Sequence, residues 1–303
     1  MSQVRPIRGL AAAALRVSPR LGPAAKELLW RTVYELISAR RGEPGVSMLN
    51  YGYAAPGSRF EAMVDCSPDD RYGLALYHEV AGAVDLEDTD VLEVGCGRGG
   101  GAAFVFERFA PRSMTGLDLA RRAIERCRER YPMRGLEFVA GNAEQLPFPD
   151  ASFDVVLSVE STHCYGDVSR FFAEAYRVLR PGGQLLLADL RATAIDTAAR
   201  EGVFARDDVA RLRGQLADAG FRTIEDEDIT ANVVRALELD TPIRRARIDR
   251  RVPKRLRRQA LTFAAVEGSP VYRAFAEREL TYLRFVLEKP AHASARHLSA
   301  VPR

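Results

Sequence analysis

The run VLEVGCGRGGG at residues 91–101 decides the fold. VLEV reads as a short strand, the glycines after it as a tight turn, and AAFVFERF at 102–109 as a helix. Such a turn aims backbone amides at the helix N-terminus toward whatever lies above the sheet, and a ligand there must approach the backbone closely. Gly95, Gly97 and Gly100 also satisfy the spacing of a dinucleotide fingerprint, with Asp118 in TGLDLA suitably placed for ribose hydroxyls. Taken alone, the glycines do not separate a dinucleotide from another adenosine-bearing ligand.

Working outward, SMTGLDL (113–119), LEFVAG (136–141), FDVVLSV (153–159) and QLLLADL (184–190) are short apolar runs separated by amphipathic segments. That alternation predicts βαβ units in an α/β, Rossmann-like, mostly parallel doubly wound sheet. VSRFFAEAYRVLR (168–180) carries Val168, Phe171, Ala175 and Val178 on one stripe and is expected to run to Pro181-Gly182-Gly183. RTIEDEDIT (222–230) and LTYLRFVLEK (280–289) are the last expected strands. The expected organisation is a helical N-terminal arm or lid over 1–75 and a core over 76–230. A helical cap insertion over 231–275, a last core strand over 276–289 and a disordered tail over 290–303 complete it.

Composition narrows the class. The chain has 303 residues, 47% of them hydrophobic, and a net charge of only +3 from 44 basic and 41 acidic residues, so no whole-chain nucleic-acid or membrane signature exists. Cys66, Cys96, Cys127 and Cys164 are scattered without metal-ligand spacing, which points to reduced thiols, a cytoplasmic protein and no metal. LAAAAL at 10–15 is too short for a signal segment, and no window approaches the length of a membrane-spanning helix.

Three features go beyond the glycines. Glu93 stands two positions before the first glycine in the pattern E-x-G-x-G-x-G; GNAEQLPFPDASFDVVLSVE follows at 141–160 and EAYRVLRPGGQLLLADL at 174–190. In that order and spacing they resemble class I S-adenosylmethionine-dependent methyltransferases. With LNYGY, ALYHEVA, ESTHCY and the closing ELTYLRFVLEK, the chain resembles the phthiotriol and phenolphthiotriol dimycocerosate methyltransferases and related actinobacterial natural-product methyltransferases.

The resemblance implies S-adenosylmethionine as cofactor and a small-molecule acceptor: a hydroxylated lipid, polyketide or glycoside. It implies that Gly95 and Gly97 line the methionine portion, that Glu93 orders their loop, and that Asp118 takes the ribose hydroxyls with Leu119 against the adenine. Asn142 and Ala143 meet the adenine edge. The family commonly has Asp at the position of Asn142, so here the amide would have to present its carbonyl oxygen to the adenine amino group. Tyr51 or Tyr53 is expected to close over the methionine end or to line the acceptor pocket, against the plainer reading of lid packing. Tyr165 is a further pocket candidate. A homodimer or higher homo-oligomer is expected.

Ligands of an open parallel sheet sit outside the carboxyl ends of its strands, here marked by Glu93, Asp118, Asn142, the 160–165 segment and Asp189. Methyl transfer from a sulfonium is an in-line displacement that needs alignment and exclusion of water. An aliphatic hydroxyl must also lose its proton, which a neutral imidazole can accept near neutral pH while a carboxylate steadies the imidazolium. His163 and Asp189 are the expected pair, supported by the E-S-x-H and A-D motifs of related O-methyltransferases; the plainer readings are a polar loop histidine and a turn-capping carboxylate. Glu160 is expected at the cofactor's amino group or as loop support, His78 as a structural helix residue, and Cys164 as a small loop residue.

Residues 244–258 carry nine basic side chains relieved only by Asp249. One reading is a solvated helical face paired with the acidic run at 225–228. The other is peripheral contact with an anionic surface, substrate or carrier protein. Nucleic acid is not expected: no aromatic residues interleave with the arginines, and ESTHCY replaces the motif of base-modifying enzymes. The leading expectation is O-methylation. C- or N-methylation working by orientation, a non-transferring binder and a cyclase remain as alternatives, and a dinucleotide oxidoreductase ranks last.

Overall fold

Period-two burial sorts the strand side chains onto two faces of one sheet. In β1 (Asp90–Val94) and β4 (Phe153–Val159), Val91, Val155, Leu157 and Val159 join one core, while Leu92, Val94 and Val156 join the other. The computed structural model describes residues 48–57, 67–193, 208–254 and 257–291. Most of the expected N-terminal arm lies outside these residues, as do Cys66 and the tail from 292.

The sheet has seven strands in the order β3-β2-β1-β4-β5-β7-β6. β2 spans Ser113–Asp118, β3 Leu136–Ala140, β5 Leu179–Ala192, β6 Arg222–Asp228 and β7 Leu280–Glu288. The first five strands pair in parallel, and β7 runs antiparallel between β5 and β6. The chain order reverses between β1 and β4, so their carboxyl ends flank the switch point where such sheets open a crevice.

Helices α1 (Arg71–Ala81), α2 (Gly100–Phe109), α3 (Arg121–Arg130), α4 (Val168–Val178) and α5 (Val209–Asp218) cover the two faces. The apolar stripe of α4 is buried as its spacing requires, and Asp167 caps its first turn by accepting from the Arg170 amide at 3.2 Å. That helix stops at Val178, short of the expected end at Pro181. The Pro181 ring pushes Arg180 toward extended backbone, and Leu179 already pairs with Phe153 as the start of β5.

Between β6 and β7 lie α6 (Thr230–Arg251), α7 (Arg257–Phe263) and α8 (Pro270–Ala276). Val233 and Leu237 of α6 and Val271 and Phe275 of α8 share one core with Tyr77 and Val80 of α1. These helices therefore sit on the α1 face of the sheet. β6 is an exposed edge strand whose charges discourage further strand pairing.

The acidic run does not meet the basic stretch. Glu225 and Glu227 pair with Arg284, Asp226 with Arg213 and Asp228 with Arg278. Strand register explains it, since β6 lies against β7 and Glu227 stands opposite Arg284.

Candidate active site

Three positive-φ glycines, Gly95, Gly97 and Gly99, shape the loop after β1. Gly95 has φ of 85°, and a Cβ built there would lie 2.5 Å from the Ser161 Cβ, so only glycine lets this loop touch the loop after β4. Gly97 has φ of 54°, and a Cβ there would meet nothing within 4 Å, which leaves open space above the turn. Asp118 braces the same loop from the end of β2: its Oδ2 accepts from the Gly97 amide at 2.9 Å and its Oδ1 from the Ala120 amide at 2.9 Å. Leu119 follows half-buried, before α3.

Glu93 is fully buried under this loop. Its Oε1 accepts the Tyr77 hydroxyl at 2.6 Å, while Oε2 has no hydrogen-bond partner among the described residues. Burial pushes the carboxyl up to about 7, against the Tyr77 hydrogen bond and with the Asp118 charge. Asn142 turns its Oδ1 to the Glu144 amide at 2.9 Å, so the expected acceptor already caps its own turn and offers only its remaining lone pair. Ala143 is buried beneath it.

The second half is built on β4 and β5. A 3-10 turn at Thr162–Cys164 follows β4 and brings the His163 Nδ1 to 2.8 Å from the Asp189 Oδ1. Asp189, at 1% exposure, also accepts from the amides of His163 (3.0 Å) and Leu190 (2.8 Å) and from the Thr162 hydroxyl. The Arg191 guanidinium stands 3.4 Å from Asp189 and donates to Thr162 at 2.6 Å. Burial alone would raise the Asp189 carboxyl; His163 and Arg191, with the hydrogen bonds, hold it well below the carboxylate range. Burial likewise opposes charge on His163, but Cys164 and the Asp189 carboxylate outweigh it and raise the imidazole well above its ordinary 6.5.

Glu160 links the halves. It sits at φ of 50°, its amide donates to the Ala188 carbonyl at 2.7 Å, and its Oε2 accepts from the Tyr51 amide (2.8 Å) and the Tyr282 hydroxyl (2.9 Å). Burial, relieved in part by the Tyr51 hydrogen bond, pushes it up to about 7. Tyr51 thus touches Glu160 through its backbone, while its buried ring stands edge-on to Phe275 at 5.5 Å. The Tyr53 phenol bonds Glu79 instead, and burial with that carboxylate pushes it up to about 12. Tyr165 donates toward the Val94 carbonyl (3.4 Å) and bonds Ser161 (3.0 Å), which sets it beside Gly95. His78 of α1 packs on Phe109 of α2, and Cys164 is a buried loop residue.

Tyr77, Thr162, Arg191 and Tyr282 belong to this network without having been read from the sequence. For Arg191 a signal existed, since i and i+2 share a strand face and place it beside Asp189. Tyr282 had none, because its register opposite Leu190 depends on the antiparallel return of β7.

The crevice residues fit a cationic adenosine cofactor: open space lies above Gly97, Glu93 keeps a buried oxygen unpartnered among the described residues, and Asp118, Glu160 and Asp189 add carboxylates nearby. Comparisons agree. The family model described as a methyltransferase domain matches residues 92–187. The phthiotriol/phenolphthiotriol dimycocerosates methyltransferase 1 of Mycobacterium ulcerans is 38% identical over 284 residues, covering 93% of this chain and 98% of the relative. The fatty-acid O-methyltransferase of Mycolicibacterium smegmatis is 37% identical over 276 residues, covering 91% and 95%. The [4+2]-cyclase SpnF shares the fold at a TM-score of 0.65 and 21% identity, covering 89% of this chain and 97% of that one. The chain belongs to the phthiotriol/phenolphthiotriol dimycocerosates methyltransferase family and is an S-adenosylmethionine-dependent methyltransferase with the Rossmann-like fold of that class.

Proposed function

We propose that the protein methylates an oxygen atom of a lipid-like natural product, with His163 and Asp189 handling the acceptor's proton. The observation that carries this reading is the 2.8 Å His163–Asp189 contact at the end of β4, one loop away from Gly95. Asp189 receives so many donors that it stays ionised, and it therefore orients the ring and steadies its charged form rather than taking the proton itself. Glu93, Gly95, Gly97, Asp118, Leu119, Asn142 and Ala143 would hold the cofactor, with Glu160 and Tyr51 bracing the crevice and Tyr165 beside its methionine end. When bound, S-adenosylmethionine supplies an electrophilic methyl group. The chain aligns an acceptor oxygen with it, excludes water and removes a proton where the oxygen carries one.

The raised His163 imidazole favours a second reading of the acceptor. A fatty-acid O-methyltransferase is among the relatives, and a carboxylate needs no base; a charged His163 would hold it by charge. The pH dependence separates the two. With hexadecanol as probe, the rate should rise as His163 loses its proton; with hexadecanoate it should fall over the same range. Tritiated S-adenosylmethionine reports both, and transfer to neither probe nor to hydroxylated cell extract would overturn O-methylation.

Arg245, Arg250, Lys254 and Arg258 of the basic stretch are exposed. Their charge supports peripheral contact with an anionic surface that presents the acceptor.

A further inference from the structure

Arg244 is the unusual member of the basic stretch, because its side chain is only 8% exposed. Asp240 neutralises it at 2.5 Å, one helical turn away on α6. The guanidinium nevertheless reaches further: Nη1 donates to the Ala264 carbonyl at 2.8 Å, and Nη2 to the carbonyls of Tyr51 at 3.0 Å and Asn50 at 3.4 Å. A rigid fork of five donors can serve all these partners at once, which a lysine ammonium cannot.

On its other side, the Tyr51 amide donates to Glu160, whose backbone opens the turn that carries His163 and bonds the residue before Asp189. Tyr51 is thus gripped through its carbonyl by α6, through its amide by the end of β4, and through its ring by Phe275 of α8. A second tie joins the same segment to α6, from the Ala54 amide to the Asn232 carbonyl at 3.2 Å.

We propose that Arg244 is a positioning residue that latches α6 and the 48–57 segment onto the Glu160–His163 turn, so that the cap and the proton-handling loop are set together. Its kinetic consequence rests on the reading of His163 above; the mechanical link does not. Without Arg244 the buried Asp240 carboxylate is left alone, so Arg244→Ala is expected to unfold and is a poor test. The pair Asp240→Asn/Arg244→Met removes both charges at similar volume, and Arg244→Lys keeps the charge without the fork.

Hydrogen exchange read by mass spectrometry, with S-adenosylhomocysteine bound, is the test. Both variants should melt near wild type and exchange amides in peptides covering 48–57 and 160–165 at least about tenfold faster, with β1 to β3 unchanged. In both, kcat with hexadecanol or hexadecanoate should fall by about tenfold or more, while S-adenosylhomocysteine binds within about twofold of wild type. Faster exchange confined to α6, or wild-type exchange in both peptides, overturns the latch. His163→Ala should lower kcat while leaving exchange in 48–57 unchanged; if it keeps full rate, the acceptor chemistry fails and the exchange result still decides the latch.

Discussion

At the scale of single residues, burial and charge set which side chains can move a proton near neutral pH. Glu93 and Glu160 sit at about 7 against an ordinary 4.5, and His163 lies well above 6.5. Between those values the native protein binds more protons than the unfolded chain, so its stability falls as pH rises. Melting temperature should therefore be higher near about pH 5.5 than near about pH 8, each carboxyl contributing up to about 3 kcal/mol. Glu93→Gln should raise the melting temperature at the higher pH and change little at the lower; a flat wild-type profile would refute these buried protons. Asp189 acts in another window, since its depressed carboxyl gives stability above the ordinary range that is lost only in strong acid. The meeting of His163, Glu160 and Asp189 was legible because the first two follow the strand run 153–159, Asp189 lies near the end of the run 184–190, and adjacent strand ends meet. Thr162 was not, because what selects it is the need to satisfy a buried carboxylate in three dimensions.

At the scale of elements, the glycine loop makes two unlike demands. Gly97→Ala strains a left-handed residue but meets no neighbour, so it should cost about 1 kcal/mol in urea unfolding while weakening S-adenosylhomocysteine measured by calorimetry. Gly95→Ala adds a collision with Ser161 and should cost about 3 kcal/mol. Equal unfolding costs would mean that the two loops do not rest on each other. This loop, the alternation of strands and helices and the stripe of α4 were readable because each rests on local periodicity and turn chemistry. The early end of α4 was not, because pairing of Leu179 with Phe153 is a long-range event that outranks the local stop at Pro181.

At the scale of the whole molecule, charges pair by tertiary neighbourhood rather than by sequence blocks. The acidic run answers Arg284, Arg213 and Arg278, and within the basic stretch Arg244, Arg247 and Arg257 find partners in Asp240, Asp69 and Asp249. Neither arrangement follows from composition. Arg245, Arg250, Lys254 and Arg258 are exposed, so the protein should sediment with phosphatidylglycerol vesicles at low salt and release at about 0.5 M salt, where screening is strong. Arg245→Glu/Arg250→Glu should abolish that binding without altering S-adenosylhomocysteine affinity; equal binding to neutral vesicles would assign the contact to something other than charge.

The central claim is that His163, held by Asp189, handles the acceptor's proton. Its most direct test is kcat against pH at saturating S-adenosylmethionine with hexadecanol, for the wild type and His163→Ala. The wild-type rate should rise through an apparent pKa above 6.5, and His163→Ala should lose about 10²- to 10⁴-fold together with that rise. A variant that keeps the wild-type rate and profile would contradict the account.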